Sequence, residues 1–203
     1  MPKRVDAAER RAHIADALFR VIARDGLGAV SLRHVATEAG VTAGMVQHYF
    51  SSKHEMMTFA MQAASARYEA RIRDAIDALG IEPAPGGMLR AVLSNFIPQS
   101  ATELSDGRIS LEFQAYAAGH DDAARSLAAG DAQLRAWLAA LIVEASGVDA
   151  GTAAERAAGL LGMAEGLGLK VLGSGMPASE ALSALDAQLH LNGVADTTRT
   201  PDA

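Results

Sequence analysis

The chain has 203 residues, a net charge of −6 and no cysteine. This length allows one or two domains, and the absence of cysteine excludes disulfides, thiolate metal sites and cysteine nucleophiles. No stretch approaches the roughly 18 unbroken apolar residues of a membrane helix, and the N-terminus lacks the apolar segment of a signal peptide, so we expect a cytoplasmic protein with no membrane partner.

Composition and charge distribution indicate the fold class and a possible binding partner. Half of the residues are apolar and only 4% are aromatic. Alanine and glycine make up much of the apolar fraction, and an alanine-rich chain favours an all-α fold. Residues 1–54 hold 8 Lys and Arg against 5 Asp and Glu, whereas residues 55–203 hold 10 against 19. Either surface charge is placed by chance, or a nucleic-acid-binding segment is joined to an acidic one.

Hydrophobic periodicity and capping residues predict nine helices along the chain. Ser31 and Thr42 are predicted N-caps, and Gly40 is predicted to end the second helix. Ser52 and Glu55 form a capping-box pattern that opens the fourth helix. The helices are predicted over residues 7–25, 32–39, 42–50, 52–79, 88–96, 105–118, 121–146, 152–172 and 178–190.

The second and third helices, joined by a tight turn at Gly40, form a helix-turn-helix arrangement. One face of the third helix is expected to hold it on its support, while the other is small and polar. Such a polar face suits a helix that enters the DNA major groove and approaches base edges. The expected anchors, in the sequence VTAGMVQHYFSSKHEMM at residues 41–57, are Met45, Val46, Tyr49 and Phe50.

The polar face of the third helix predicts specific contacts with DNA. Gln47 can form two hydrogen bonds with adenine, His48 can reach a base edge or a phosphate, and Gly44 allows a close backbone approach. Nearby hydroxyl groups, cations and the free N–H groups that open the fourth helix suit phosphate oxygens. The predicted DNA-binding residues are Ser31, Arg33, Thr42, Gly44, Gln47, His48, Tyr49 and Lys53.

The segment SLRHVATEAGVTAGMVQHYFSSKHEM, at residues 31–56, resembles the DNA-binding signature of the TetR family of bacterial repressors. That signature has Ala-Gly-Val in the turn, Tyr-Phe at the end of the recognition helix and a Ser-Lys-Glu-like sequence at the start of the fourth helix. Many members have tyrosine at the position of Gln47, so the resemblance does not predict the base sequence of the operator. The resemblance implies a homodimeric transcriptional repressor that binds a palindromic double-stranded operator and is released by a small-molecule effector.

Two further segments, LSNFIPQS and ISLEFQAYAAGHDDAARSL, resemble the BetI-type C-terminal domain of the same family. The expected architecture is an N-terminal three-helix, helix-turn-helix DNA-binding domain at residues 1–51 and a six-helix ligand-binding and dimerisation domain at residues 52–191. Residues 192–203 are polar and aperiodic, and we expect a disordered tail there. The expected mechanism is a change in the separation of the two recognition helices, transmitted through residues 52–79.

The predicted helix at residues 105–118 carries a carboxylate, Glu112, on an apolar and aromatic stripe. Because burying an unpaired carboxylate is costly, Glu112 pairs with an arginine, lies at the edge of the stripe or faces a ligand cavity. Such a cavity would take a cationic or hydrogen-bond-donating effector. The candidate ligand-binding residues, each of which can equally be part of a core, are Phe96, Glu112, Phe113, Tyr116 and Trp137.

The last two predicted helices carry apolar stripes, and the first of them also carries four interior glycines, at positions 159, 162, 166 and 168. Each interior glycine costs about 1 kcal/mol relative to alanine, so the four indicate a close approach of another helix. The stripes either pack against the body of the chain or form a four-helix interface with a second subunit, as a two-fold operator requires. The candidate interface residues are Leu160, Ala164, Leu167, Val171, Leu182, Leu185 and Leu189.

No catalytic site, metal site or cofactor is predicted. His54-Glu55 has no second histidine at helical spacing, and the Gly-Leu-Gly sequences at 26–28 and 166–168 follow no strand. Gly173-Ser174-Gly175 is likewise not preceded by a strand. We therefore predict a non-enzymatic transcriptional regulator. The alternative is a helical adaptor whose helix-turn-helix binds a protein, and salt-dependent DNA binding separates the two.

Overall fold

The computed structural model describes residues 2–194, with side chains from residue 7 onward. Within that range the nine predicted helices are confirmed, together with a single-turn 3-10 helix at Leu27–Ala29, and no strand is present. No helix in this range is long and apolar enough to cross a bilayer. Most of the predicted tail, residues 195–203, lies outside the described residues.

The helices are α1 (Pro2–Asp25), α2 (Leu32–Ala39), α3 (Ala43–Tyr49), α4 (Lys53–Asp77), α5 (Pro85–Ser94), α6 (Ala101–Ala117), α7 (Asp121–Ser146), α8 (Ala150–Gly173) and α9 (Ala178–Leu191).

The described residues pack into two compact units. The first contains the chain up to Tyr68 together with Arg108–Ala124, so it holds α1 to α3, the first part of α4, the C-terminal part of α6 and the first residues of α7. The second contains Glu69–Gly107 and the described residues from Arg125 onward. These are units of packing. The functional division predicted at residues 51 and 52 stays a prediction.

The turn between α2 and α3 follows from three local signals. Ser31 caps α2 by accepting the N–H of His34 at 3.1 Å, and Thr42 caps α3 by accepting the N–H of Met45 at 3.1 Å. Gly40 ends α2 in the left-handed region, with φ at 68°, which costs glycine little because it has no Cβ. These caps confirm the predicted boundaries of both helices.

The start of α4 differs in one detail from the predicted capping box. Ser52 accepts the N–H of Glu55 at 3.0 Å as expected. The Glu55 carboxylate, however, accepts both the N–H and the hydroxyl of Ser51, each at 2.8 Å. Those hydrogen bonds from Ser51, with a smaller contribution from Arg11, hold the pKa of Glu55 below its ordinary value. The carboxylate therefore fixes the short link between α3 and α4.

The first unit buries one apolar face of each short helix. Leu18 and Val21 of α1, Val35 of α2 and Val46 of α3 are fully or almost fully buried, and α1, α2 and α3 pack against one another in all three combinations. Because burial of a valine or leucine side chain stabilises by about 1.5–3 kcal/mol, this core holds helices that are too short to be stable alone.

The second unit has its own core, built from α5, α7, α8 and α9. The stripes predicted to form a dimer interface lie in or against this core, which contradicts the prediction for the side chains that the chain itself buries. Five of the seven are at most 9% exposed within the chain, and the other two pack against the same core. A side chain buried in its own chain has no surface left for a partner, so internal packing accounts for five of the set: Leu160, Ala164, Leu167, Leu185 and Leu189. Val171 and Leu182 are only partly buried, and their place in an interface stays a prediction.

The four interior glycines of α8 divide into two groups. A Cβ at Gly168 would overlap the carbonyl oxygen of Phe96 and lie 3.2 Å from its carbonyl carbon. Gly168 therefore permits the close approach expected of these glycines, although to the backbone that follows α5. A Cβ at Gly159, Gly162 or Gly166 would meet no neighbouring atom of the described residues within 4 Å. These three lie on the exposed surface of α8.

Candidate nucleic-acid interface

Helix α3 is held by few side chains and exposes most of its surface. It has seven residues, of which only Val46 is buried, and its C-cap Phe50 is buried as well. Tyr49 is half-buried. The expected anchoring role of Met45 is wrong, because this side chain is 38% exposed. Met45 therefore joins the exposed face, where a thioether can contact the methyl group of thymine.

The exposed face of α3 presents the polar groups that the sequence predicted. Thr42, Gly44, Gln47 and His48 are all exposed. The Thr42 hydroxyl oxygen accepts the N–H that it caps, so its hydrogen stays available for a phosphate oxygen. The ring of His48 lies edge-on to the ring of Tyr49, with centroids 5.1 Å apart. This arrangement places hydrogen-bonding groups along the whole accessible side of the helix.

The cations of the first unit differ in their pairing. Arg20 and Arg24 of α1 form ion pairs with Glu38 of α2, at 2.7 and 2.9 Å, and hydrogen bonds from these two arginines hold the pKa of Glu38 below its ordinary value. Arg33 and Lys53 are exposed and have no ion-pair partner among the side chains that the structure describes. Their charges are therefore available to an external anion such as a phosphate group.

The aromatic stripe of α6 packs against helices of the first unit. Phe113 is 4% exposed and meets the ring of Phe19 of α1 edge-on, with centroids 6.2 Å apart. The Glu112 carboxylate lies beside Gly26, with Oε1 3.6 Å from the position that a Cβ would take there. Because Phe113 is buried against Phe19, we assign it to packing, whereas the ligand-binding role of Glu112 stays a prediction.

Tyr116 has a specific polar partner. Its hydroxyl is 2.7 Å from Nδ1 of His54, and Nε2 of His54 is 2.7 Å from a carboxylate oxygen of Asp122. In a neutral ring, Nε2–H donates to the carboxylate and Nδ1 accepts from the hydroxyl. Burial, and then the charge of Asp122, raises the pKa of Tyr116. The chain of hydrogen bonds joins α4, α6 and α7.

An open groove of about 490 Å³ lies beside this hydrogen-bonded chain. His120 stacks on Tyr116 with ring centroids 3.9 Å apart, which covers one face of the tyrosine. Burial alone would raise the pKa of Asp122, but the hydrogen bond from His54 and backbone N–H groups lower it below its ordinary value. The groove is lined by Leu27, Gly28, Lys53, His54, Tyr116 and His120.

The two remaining candidates for ligand binding lie in the second unit. Phe96 is partly buried and packs against the core of that unit. Trp137 of α7 is 37% exposed. Neither observation assigns them a ligand, and their role in effector binding stays a prediction.

Comparison with known proteins identifies the family. The family model of the N-terminal domain of bacterial regulatory proteins of the tetR family matches residues 14–58, which include α2, α3 and the start of α4. The model of the C-terminal domain of BetI-type transcriptional repressors matches residues 85–192, more than half of the chain. The chain belongs to the tetR family. All eight predicted DNA-binding residues fall within the N-terminal match of this tetR-family protein.

Individual relatives agree with this family. The chain is 34% identical over 119 residues to the HTH-type transcriptional regulator PksA of Bacillus subtilis, which covers 58% of this chain and 56% of the relative. It spans about half the length of the curated relatives that it matches first. The crystal structure of a transcriptional regulator from Rhodococcus sp. Rha1 is 31% identical, has a TM-score of 0.81 and covers 93% of this chain and 99% of its own.

A third relative shows the tetR-type fold alone. It is a transcriptional regulator from Saccharomonospora viridis, whose structure was solved in complex with choline. Its TM-score is 0.76 and its sequence identity is 18%, over 90% of this chain and 96% of that chain.

Proposed function

We propose that this tetR-family protein is a transcriptional repressor that binds a palindromic operator as a homodimer and leaves it when a small molecule binds. The observation that carries the proposal is the exposed polar face of α3, a seven-residue helix supported by Val46 and Phe50. A helix that packed for structural reasons alone would not need exposed small or hydrogen-bonding groups at Thr42, Gly44, Gln47 and His48. The adaptor alternative is not favoured by the family match.

Within this proposal the exposed residues divide into base readers and phosphate binders. Gln47 pairs with adenine, His48 reaches a base edge, and Met45 contacts a thymine methyl. Gly44 allows the backbone to approach the groove. The residues assigned to phosphate oxygens are Ser31, Arg33, Thr42, Tyr49 and Lys53.

A second copy of the chain is proposed to bind at the exposed surface of α8. Gly159, Gly162 and Gly166 follow one another at spacings of three and four, which places them on one face of a helix. Among the described residues, no neighbouring atom outside the helix backbone lies within 4 Å of a Cβ at any of the three, so a partner backbone could approach closely. Leu169 of the same helix is 51% exposed and would be covered by the partner. This surface replaces the buried stripes as the candidate interface.

The effector is proposed to bind the BetI-type domain and to favour the conformation that does not bind DNA, because only a difference in affinity between two states can shift their equilibrium. Choline is a suitable first probe, since the Saccharomonospora viridis relative was crystallised with it. Choline chloride should release operator DNA at concentrations at which sodium chloride does not, measured by fluorescence anisotropy. Equal release by the two salts would exclude choline as the effector.

Gln47→Ala tests base reading. An operator duplex is first selected by the wild-type protein from a random-sequence library, and affinity is then measured for this duplex and for a random duplex. Gln47→Ala should weaken operator binding by about 1–3 kcal/mol, because it removes a bidentate base contact, and should leave random-duplex binding nearly unchanged.

Lys53→Ala is the control for that experiment. It should weaken binding to both duplexes and reduce the slope of log K against log salt by about one, because a phosphate contact is independent of sequence. An equal loss on both duplexes for Gln47→Ala would remove Gln47 from the base-reading set. A wild-type protein that selects no duplex would contradict the proposed function itself.

A further inference from the structure

The guanidinium group of Arg11, in α1, contacts three other segments of the first unit. Its Nη1 donates to the carbonyl oxygen of Tyr49 at 3.1 Å, at the end of α3. Its Nη2 donates to Oε1 of Glu55 at 3.2 Å, at the start of α4. Its central carbon lies 4.5 Å from the ring centroid of Phe50 and 4.7 Å from that of Phe59. The side chain is 32% exposed.

Each of these contacts has a physical reason. The last carbonyl groups of a helix lack intrahelical partners, so the C-terminus of α3 has oxygens to offer. A positive charge is also favourable at that end of a helix. The faces of Phe50 and Phe59 attract the cation, and the Glu55 carboxylate neutralises it. Glu55 in turn binds the N–H and hydroxyl of Ser51.

The contacts matter because α3 has little to define its orientation. A helix of seven residues is not stable by itself in water, and Val46 is its one buried side chain. The cap at Thr42 fixes the N-terminal end. Arg11 fixes the other end, because it binds the last carbonyl, stacks on the C-cap ring and pairs with the carboxylate that holds the following link.

We infer that Arg11 is a positioning residue for base recognition: it sets the angle at which α3 is presented to DNA without touching DNA itself. This inference rests on the proposed function. Base readout needs hydrogen-bond distances that are met only at the correct angle, whereas contacts with phosphate groups tolerate small rotations of flexible side chains. Loosening the C-terminal end of α3 should therefore reduce the preference for the operator and leave general DNA binding in place.

The test variant is Arg11→Met, which keeps an unbranched apolar side chain against the two rings and removes the charge and both donors. Affinity is measured for the selected operator duplex and for a random duplex over a range of salt concentrations. Operator affinity should fall by about 10- to 100-fold, which corresponds to the loss of one bidentate base contact. Random-duplex affinity and both salt slopes should match the wild type.

Arg20→Met is the matched control. Arg20 also lies on α1 and also pairs with a glutamate, since its Nε is 2.7 Å from Oε1 of Glu38. It makes no hydrogen bond to α3. This variant should retain the wild-type ratio of operator to random-duplex affinity, although it loses an ion pair from the same helix.

Three results would overturn the inference. An equal loss on both duplexes, with a salt slope reduced by about one, would show that Arg11 binds a phosphate directly. An unchanged affinity ratio for Arg11→Met would show that the contacts do not orient α3. If Arg11→Met fails to fold, Arg11→Lys takes its place, because lysine keeps the charge and lacks the planar fork. A folded lysine variant with the wild-type ratio would also contradict the inference. Loss of selection by the wild type would instead contradict the proposed function.

Discussion

Gly168→Ala is expected to lower the free energy of unfolding by about 3 kcal/mol, since overpacking a rigid site typically costs 1–3 kcal/mol and occasionally more. The added Cβ would overlap the Phe96 carbonyl oxygen, which belongs to backbone and cannot rotate away. Either α8 or the segment after α5 must move. For a chain of this length the unfolding midpoint should fall by about 6–12 °C, measured by circular dichroism.

Gly130→Ala is the control for this substitution. Gly130 lies inside α7, where a Cβ would meet nothing within 4 Å. Alanine should stabilise the helix by up to about 1 kcal/mol there, because it is the better helix former. Opposite signs for the two glycines would confirm that contact with Phe96 decides the outcome at Gly168. A neutral effect of Gly168→Ala would show that α8 can shift at little cost.

Gly162→Glu is expected to yield monomers in sedimentation and to abolish binding to the selected operator. The position is open within the chain, so the fold tolerates a larger side chain. Across a two-fold interface, however, two glutamates would be brought together where close packing is needed, and like charges repel. One subunit reads one half-site, so the operator affinity that depends on both half-sites would be lost.

Gly130→Glu adds the same charge at another open, mid-helical glycine and should remain dimeric with full operator affinity. Random-duplex binding per subunit should be unchanged for both variants, because their DNA-binding surfaces are intact. A Gly162→Glu protein that stays dimeric would place the interface on another surface. A charge at Leu185 would not probe an interface, because this side chain is fully buried in the core of its own chain.

Local signals in the sequence were sufficient for most helix boundaries. Ser31, Thr42 and Gly40 act through hydrogen bonds and backbone angles that span a few residues, so their effect can be predicted without knowing the rest of the fold. The all-α architecture follows from the same kind of evidence. The exposed polar face of α3 was also predictable, because it depends on helical periodicity within one short element.

Hydrophobic periodicity does not predict which surface an apolar stripe packs against. The pattern predicts that the stripes of α8 and α9 pack against something, but it cannot distinguish a core from a subunit interface. The stripe of α6 raised the same ambiguity, and its Phe113 packs against Phe19, which is 94 positions earlier in the sequence. The pattern places Met45 on the anchoring face, because an apolar residue next to Val46 and four positions before Tyr49 is usually buried. In the structure Met45 is exposed.

Arg11 was missed for a related reason. Its partners on α3 and α4 are 38 and 44 residues away in sequence, so no local pattern connects them. The sequence shows Arg11 on α1 and, much later, Phe50, Glu55 and Phe59, but it does not show that these residues meet. The role of Arg11 can therefore be inferred only once the packing of α1 against α3 is known.

The small number of buried residues in α3 has a consequence for the evolution of this protein. Val46 is the buried side chain of the helix, and the exposed positions are Thr42, Gly44, Met45, Gln47 and His48. Substitutions at exposed positions usually change stability by less than about 0.5 kcal/mol. Mutations that alter the preferred DNA sequence can therefore accumulate without first being rescued by stabilising changes elsewhere. Duplicated copies of such a gene could acquire separate targets in few steps while the rest of the molecule stayed the same.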